Sequence, residues 1–151
     1  MNRIVLKVVS ENDCRDIWLW RNHPDVRKGF FNPEPVLWQE HTKWFVSKIK
    51  TPNTKIYIAT SCKDKIGVIR FETGKDCVNV SVNLNPAFFG KGLGSKIIKL
   101  GTERFCQDTE VNKHIIAEIK KDNIASQKAF ANAGYEIMKE NERVVIYEKR
   151  C

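Results

Sequence analysis

Three glycines at a spacing of two, Gly90, Gly92 and Gly94, lie in the segment Phe89-Gly90-Lys91-Gly92-Leu93-Gly94-Ser95. Glycine has no Cβ, so successive backbone N–H groups there can turn toward one point and form an anion-binding nest. A helix that begins at such a turn adds unpaired N–H groups and the positive end of its dipole. The combination is the chemistry of a pyrophosphate site, to which Lys91 and Ser95 add a charge and a hydroxyl. A dinucleotide fingerprint needs G-x-G-x-x-G and an acidic residue about 20 positions on, and a P-loop needs G-x-x-x-x-G-K-[ST]. The spacing here is G-x-G-x-G and fits neither. On these residues alone, a turn with a purely structural role stays open.

The elements around the turn must deliver its N–H groups to one place. Before it, Val78, Val80, Val82 and Leu84 alternate with Asn79, Ser81, Asn83 and Asn85, a period of two that puts four apolar residues on one face of a strand. Asn85-Pro86 ends that strand. After the turn, Leu93, Ile97, Ile98, Gly101 and Phe105 mark a helix to about Cys106. Upstream, Ile4 to Val9 reads as a strand, and Ser10 with Asp13 starts a helix from Glu11 to about Asn22. His23 to Val36, with Pro24, Gly29, Pro33 and Pro35, reads mostly as loop. A second helix fits Leu37 to Lys50, with Leu37, Thr42/Lys43 stems, Phe45 and Ile49 near helical spacing, and two strands fit Lys55–Thr60 and Lys65–Thr73. Downstream, His114 to Ile119 is a strand, and Asn123 to Ala133 is a helix closed by Gly134. Tyr135–Lys139 and Val144–Lys149 form a hairpin-like pair. The order β-α-α-β-β-β-α-β-α-β-β is that of an α/β or α+β sheet with helices on its faces.

A chain of 151 residues is long enough for one domain with a sizeable core, here residues 1–151. Hydrophobic residues make up 42% and charged residues 29%, and the net charge of +8 suits an anionic partner or a generally basic surface. The five cysteines form no metal-spaced cluster, and reduced thiols, several of them in the core, are the simplest account. The segment Met1-Asn2-Arg3-Ile4-Val5-Leu6-Lys7 carries charge too early for a signal peptide, and no apolar run approaches membrane-spanning length. The expectation is a cytoplasmic protein, monomer or homodimer, without metal and without a nucleic-acid or membrane partner.

Asn85-Pro86-Ala87-Phe88-Phe89-Gly90-Lys91-Gly92-Leu93-Gly94-Ser95 resembles the acetyl-CoA loop of the GNAT superfamily of N-acetyltransferases, whose pattern is [QR]-x-x-G-x-[GA]. Phe89 departs from the first position of that pattern, where the contribution is mainly backbone N–H. The segment Asn123-Ile124-Ala125-Ser126…Gly134-Tyr135 is similar to the family's N-x-x-[AS]…G-[FY] segment. The resemblance is strong from Val78 to about Tyr135, while the first third fits in element order. It implies a mixed, mostly antiparallel sheet of about seven strands with helices on both faces. It also implies acetyl-CoA as cofactor, its pantetheine paired with the main chain of Leu84 and its pyrophosphate held by the main chain of Phe89 to Ser95. Asn123 matches the side chain that bonds the pantetheine arm, a role compatible with capping a helix.

The family's frequent general acid, a tyrosine seven residues after the Asn, is Phe130 here, a residue that lines the cofactor but donates no proton. Ser126 is the substitute the resemblance offers, and a first-turn helix serine is its bland reading. Glu118 is the base candidate, against a strand glutamate paired with Lys120 or Arg70, and Glu72 is the runner-up. The acceptor pocket implied by the fold falls on the first two helices and their connection, where all four tryptophans lie. Arg21, Asn22, Arg27, Phe30, His41 and Glu72 are its candidate residues. Arginine among aromatic rings suits an anionic, ring-bearing amine such as a nucleotide sugar. The W-R-N, V-R and E-H-x-x-W-F segments resemble acetyltransferases of UDP-linked 4-amino-4,6-dideoxy sugars on the route to pseudaminic acid. They are also similar to ribosomal-protein N-terminal acetyltransferases. A non-catalytic acyl-CoA-binding domain is the reading from another class.

Overall fold

The computed structural model describes residues 3–151, so Met1 and Asn2 of the charged N-terminal segment lie outside it. The elements are β1 (Ile4–Val8), α1 (Cys14–Asn22), α2 (Pro24–Arg27), α3 (Trp38–Ile49), β2 (Thr54–Ser61), β3 (Asp64–Thr73), β4 (Cys77–Leu84), α4 (Leu93–Asp108), β5 (His114–Lys120), α5 (Ile124–Asn132), β6 (Glu136–Glu140) and β7 (Val144–Lys149). They form one seven-stranded sheet in the order β1-β2-β3-β4-β5-β7-β6.

Strand alternation sorts the core into two layers. In β2, Tyr57 and Ala59 turn to one face and Ile56 and Ile58 to the other, and all four are buried. The first face packs Ile69, Phe71, Val78 and Val80 against Leu93, Ile97, Ile98 and Phe105 of α4 and Phe130 of α5. The second face packs Ile56, Ile58 and Val68 against Ile17 and Trp20 of α1 and Phe45 of α3. Helix α4 lies so close to β3 that a Cβ at Gly101 would stand 2.8 Å from Ile69 Cδ1. This contact fixes where α4 begins, beside the end of β4. Among the described residues, no helix is long and apolar enough to cross a membrane.

Every neighbouring pair of strands is antiparallel except β4 and β5, which run parallel. Their pairing covers only Cys77↔His114, Val78↔Ile115 and Asn79↔Ile116. Beyond it each strand keeps its outer partner, β4 to Gly67↔Leu84 and β5 to Lys120↔Val144. The sheet therefore splits between Val80–Leu84 and Ala117–Lys120.

Four local expectations are corrected. The connection after α1 holds the short helix α2, with Pro24 at its first position and His23 Nδ1 accepting the Asp25 N–H at 3.1 Å. Proline loses nothing there, because that N–H has no helical partner anyway. The first helix opens with a 3₁₀ turn over Glu11–Asp13, and the Ser10 N–H donates to Asp13 Oδ2 at 2.9 Å. Leu37 is outside α3 and 65% exposed, and His41 and Phe45 form its buried stripe instead. Lastly, Cys106 and Cys151 are joined in a disulfide with Cα atoms 5.6 Å apart, and of the other three only Cys14 packs, half-buried, against a core, while Cys77 is half-buried and Cys62 exposed. The pairing of β7 with β5 brings the chain's end back under α4 across 45 residues, a proximity that local sequence does not display.

His41 is 4% exposed, between the rings of Trp38, Trp44 and Phe45 at centroid distances of 6.1, 5.8 and 6.0 Å. Its Nε2 lies 2.9 Å from the Cys14 carbonyl oxygen, so that nitrogen carries the proton and ties α3 to α1. Burial lowers its pKa from the ordinary histidine value, the bond to Cys14 opposes this, and the charge of Arg21 adds to the lowering. Above the ordinary value, near 6.5, neither the folded nor the unfolded chain protonates this ring. As pH falls through that value the unfolded chain takes the proton first, so stability is lost. Urea unfolding of the wild type and of His41→Gln between pH 7.5 and 5 should show the steeper loss in the wild type.

Candidate functional site

The split sheet creates the larger cavity, about 830 Å³, between β4 and β5. Val80–Leu84 line one side and Ala117–Ile119 the other. Past Asn79↔Ile116 the facing main-chain edges have no ladder to each other. Main-chain N–H and C=O groups require partners, and an extended chain carrying amides fits between two such edges as an added strand does.

The glycine turn closes one end of this cavity. Gly90 and Gly92 have φ of 76° and 69°, and Gly92 is the left-handed N-cap of α4. A Cβ on either would meet nothing within 4 Å, so the requirement is the backbone conformation and not room. Phe89, Gly90 and Gly94 line the cavity. Lys91, Gly92, Leu93 and Ser95 do not; Leu93 is a core side chain at 1% exposure, Lys91 Nζ lies 5.2 Å from the Phe88 ring centre, and Ser95 Oγ donates to the Gly92 carbonyl at 3.3 Å. The local fit to a pyrophosphate thus rests on backbone N–H groups at a helix start.

Asn123, Ser126, Glu118 and Phe130 all line the same cavity. Asn123 caps α5, its Oδ1 accepting the Ser126 N–H at 3.2 Å, which leaves its amide hydrogens for the cavity. Ser126 is half-buried and Glu118 exposed. Glu118 makes no ion pair among the described residues: Lys120 pairs with Asp122 at 3.8 Å and Arg70 with Glu72 at 2.8 Å. Phe130 is 2% exposed and meets Tyr135 edge-on with centroids 5.1 Å apart. The Tyr135 hydroxyl is buried against Thr102 Oγ1 at 2.8 Å, and burial first of all pushes its pKa up to about 12. That phenol faces α4, and among the described residues no tyrosine lines either cavity.

A second cavity of about 330 Å³ lies on the side of α1 and α3. Ser81 and Asn83 line both cavities and are where the two meet. Arg21 and His41 line the second, whereas Phe30 lines the first and carries the Arg21 guanidinium 4.0 Å above its ring. Asn22, Arg27 and Glu72 line neither. Asn22 braces the connection, donating to the Val36 carbonyl and accepting its N–H, each at 2.8 Å. Arg27 donates to the carbonyls of Asn22 at 2.9 Å and Pro33 at 3.2 Å, and Glu72 is engaged by Arg70 and, at 3.4 Å, by Lys48. Their polarity serves the shape of the wall. Arg70, Ser81 and Asn83 are cavity residues that sequence reading missed as such, whereas Trp44 falls in the expected acceptor region. The signal for two of them was present, because Ser81 and Asn83 are the polar half of the β4 alternation.

Comparison with known proteins agrees with this geometry. The acetyltransferase (GNAT) domain family matches residues 3–136. An uncharacterized protein of Methanocaldococcus jannaschii is 25% identical over 152 residues, covering 97% of this chain but only 31% of that protein, so the chain spans about a third of its length. A crystal structure of a domain from the same organism superposes with a TM-score of 0.85 at 23% identity, each chain covered over 100%. The aminoglycoside acetyltransferase AAC(6')-Ib, solved with ribostamycin and coenzyme A, superposes with a TM-score of 0.82 at 18% identity, covering 97% of this chain and 92% of that one. With its split parallel pair and its glycine turn at the start of α4, the chain belongs to the acetyltransferase (GNAT) domain family.

Proposed function

We propose that this acetyltransferase domain moves the acetyl group of acetyl-CoA to a primary amine, the 4-amino group of a UDP-linked 4-amino-4,6-dideoxy sugar. The observation that carries the cofactor assignment is the unpaired strand edge of Val80–Leu84 ending at a glycine turn and a helix start. The main chain near Leu84 pairs with the pantetheine amides, that of Phe89–Ser95 holds the pyrophosphate, and Asn123 Nδ2 reaches the arm. The complex of AAC(6')-Ib with coenzyme A supports the same reading. For the sugar, support comes from the W-R-N and E-H-x-x-W-F segments, which put Arg21, His41 and Trp44 on the second cavity.

Acetyl-CoA supplies an acyl thioester when bound. Transfer to an amine requires that the amine lose a proton and that the thiol regain one. Glu118, a carboxylate on the cavity wall without a competing cation, takes the first proton. Ser126, half-buried on the first turn of α5, holds a hydroxyl proton over the same cavity.

Calorimetry with acetyl-CoA tests the cofactor. Binding is expected in the wild type, and Gly92→Val should weaken it about tenfold or more, since a β-branched residue resists the left-handed conformation. Absence of heat at high micromolar acetyl-CoA with the wild type overturns the assignment. Thiol release with UDP-4-amino-sugars against ribosomal-protein N-terminal peptides tests the acceptor: turnover is expected with the sugars, and turnover with the peptides alone rejects them. With an accepted amine, Glu118→Gln should lower kcat about 100-fold or more and remove the rise of rate with pH. An unchanged rate and pH profile would exclude Glu118 as base.

A further inference from the structure

The second cavity carries a charge arrangement that the acetyl transfer does not use. Arg21 and Arg70 both face it, from α1 and from β3 respectively. Each guanidinium is set by an aromatic ring, Arg21 over Phe30 at 4.0 Å and Arg70 over Trp44 at 4.8 Å. Such stacking fixes the plane of the group and leaves its edge for hydrogen bonding. Arg70 Nε lies 2.8 Å from Glu72 Oε1 as an ion pair without hydrogen-bond alignment, and the same carboxylate oxygen is shared with Lys48 at 3.4 Å. Arg21 has no carboxylate partner among the described residues, and its Nη1 is buried without a hydrogen-bond acceptor. Burial lowers the Arg21 pKa first, and the charges of Arg27 and Arg70 lower it further. The one acidic residue on the cavity wall, Glu40, is exposed at its rim.

A buried donor without an acceptor is destabilising, and a buried cation near a second cation is more so. An oxyanion between the two guanidiniums relieves both costs, and phosphate, with several acceptor oxygens, matches two arginine edges better than a single carboxylate does. Much of the remaining wall is apolar, with Ile17, Val36, Phe45, Ile56 and Val68 beside the polar His41, Ser81 and Asn83, and low-dielectric walls strengthen an ion pair between them.

We infer that Arg21 and Arg70 form a phosphate clamp that selects phosphorylated acceptors and rejects polycationic ones. The clamp rests on the reading of the larger cavity as the coenzyme A cleft, because the amine must reach it past Ser81 and Asn83, where the cavities meet. The phosphate can belong to a nucleoside diphosphate or to a sugar phosphate. A cationic acceptor such as an aminoglycoside, the ligand of AAC(6')-Ib, would instead meet like charge here.

The test is a calorimetric titration of the full chain, saturated with coenzyme A so that the glycine turn is occupied. UDP, glucosamine 6-phosphate, uridine and spermine are the probes. Binding of UDP or of glucosamine 6-phosphate is expected, with uridine at least tenfold weaker and spermine silent; which phosphate binds identifies the source. Arg21→Met and Arg70→Met should each weaken the phosphate probe at least tenfold, and Arg21→Lys should restore only part of it because the fork is lost. Unchanged coenzyme A binding in the same variants certifies their fold. Neither phosphate binding, uridine binding as well as UDP, spermine binding in preference, or methionine variants that keep wild-type affinity would each overturn the clamp. Should coenzyme A itself give no heat, the cofactor reading fails separately, and the UDP titration repeated without it still reads the arginine variants.

Discussion

The structure depends on a hydrogen-bond ladder that stops after three residue pairs. A parallel pair inside a sheet normally runs the length of its strands, because each unpaired main-chain group is a cost. Here β4 and β5 keep their other neighbours, paired on the outer side from Val78 to Leu84 and from Ile115 to Lys120. The sheet thus pays nothing in register for opening, while two main-chain edges face each other with their groups available. A cavity made this way has the main-chain groups to pair with an extended, amide-bearing chain, as proposed for the pantetheine arm.

The placement of the helices follows from the same split. Helix α4 leaves the end of β4 through a left-handed turn and returns across β3, where Gly101 lets it seat against Ile69. Its start is therefore carried on the β3–β4 half of the sheet, and α5, begun by Asn123 directly after β5, on the other half. The glycine turn and Asn123 stand on opposite walls of one cleft. On the far face, α1 and α3 surround a smaller cavity whose charge is opposite to that of a phosphate. The two cavities meet at Ser81 and Asn83, because alternation along β4 sends its apolar residues into one core and its polar residues toward the other side.

Much of this was legible in the residues. The alternation from Val78 to Asn85, the glycine turn and the apolar stripe from Leu93 to Phe105 are local signals, and each became the element it indicated. The capping of α5 by Asn123 was local too. What stayed hidden was set by long-range pairing. Cys151 reaches Cys106 only because β7 lies beside β5. Arg70 reads as an unremarkable residue of a strand, and only the packing of α1 and α3 over β3 gives it Trp44 and the neighbourhood of Arg21. Conversely, Asn22 and Arg27 have the polarity of binding residues but spend it on backbone carbonyls of the connection, a choice that no spacing rule shows. The short helix α2 has too few residues for a periodic signature.

The approach of Gly29 to Asn123 has a consequence for both cavities. A Cβ at Gly29 would stand 2.8 Å from Asn123 Nδ2, and the Lys28 carbonyl accepts Lys120 Nζ at 3.1 Å. The next residue, Phe30, lines the larger cavity and supports the guanidinium of Arg21 in the smaller one. One short stretch of chain thus touches both the asparagine of the larger cavity and the arginine of the smaller one. A side chain larger than glycine at position 29 would press on Asn123 and, through Phe30, displace the ring that carries Arg21.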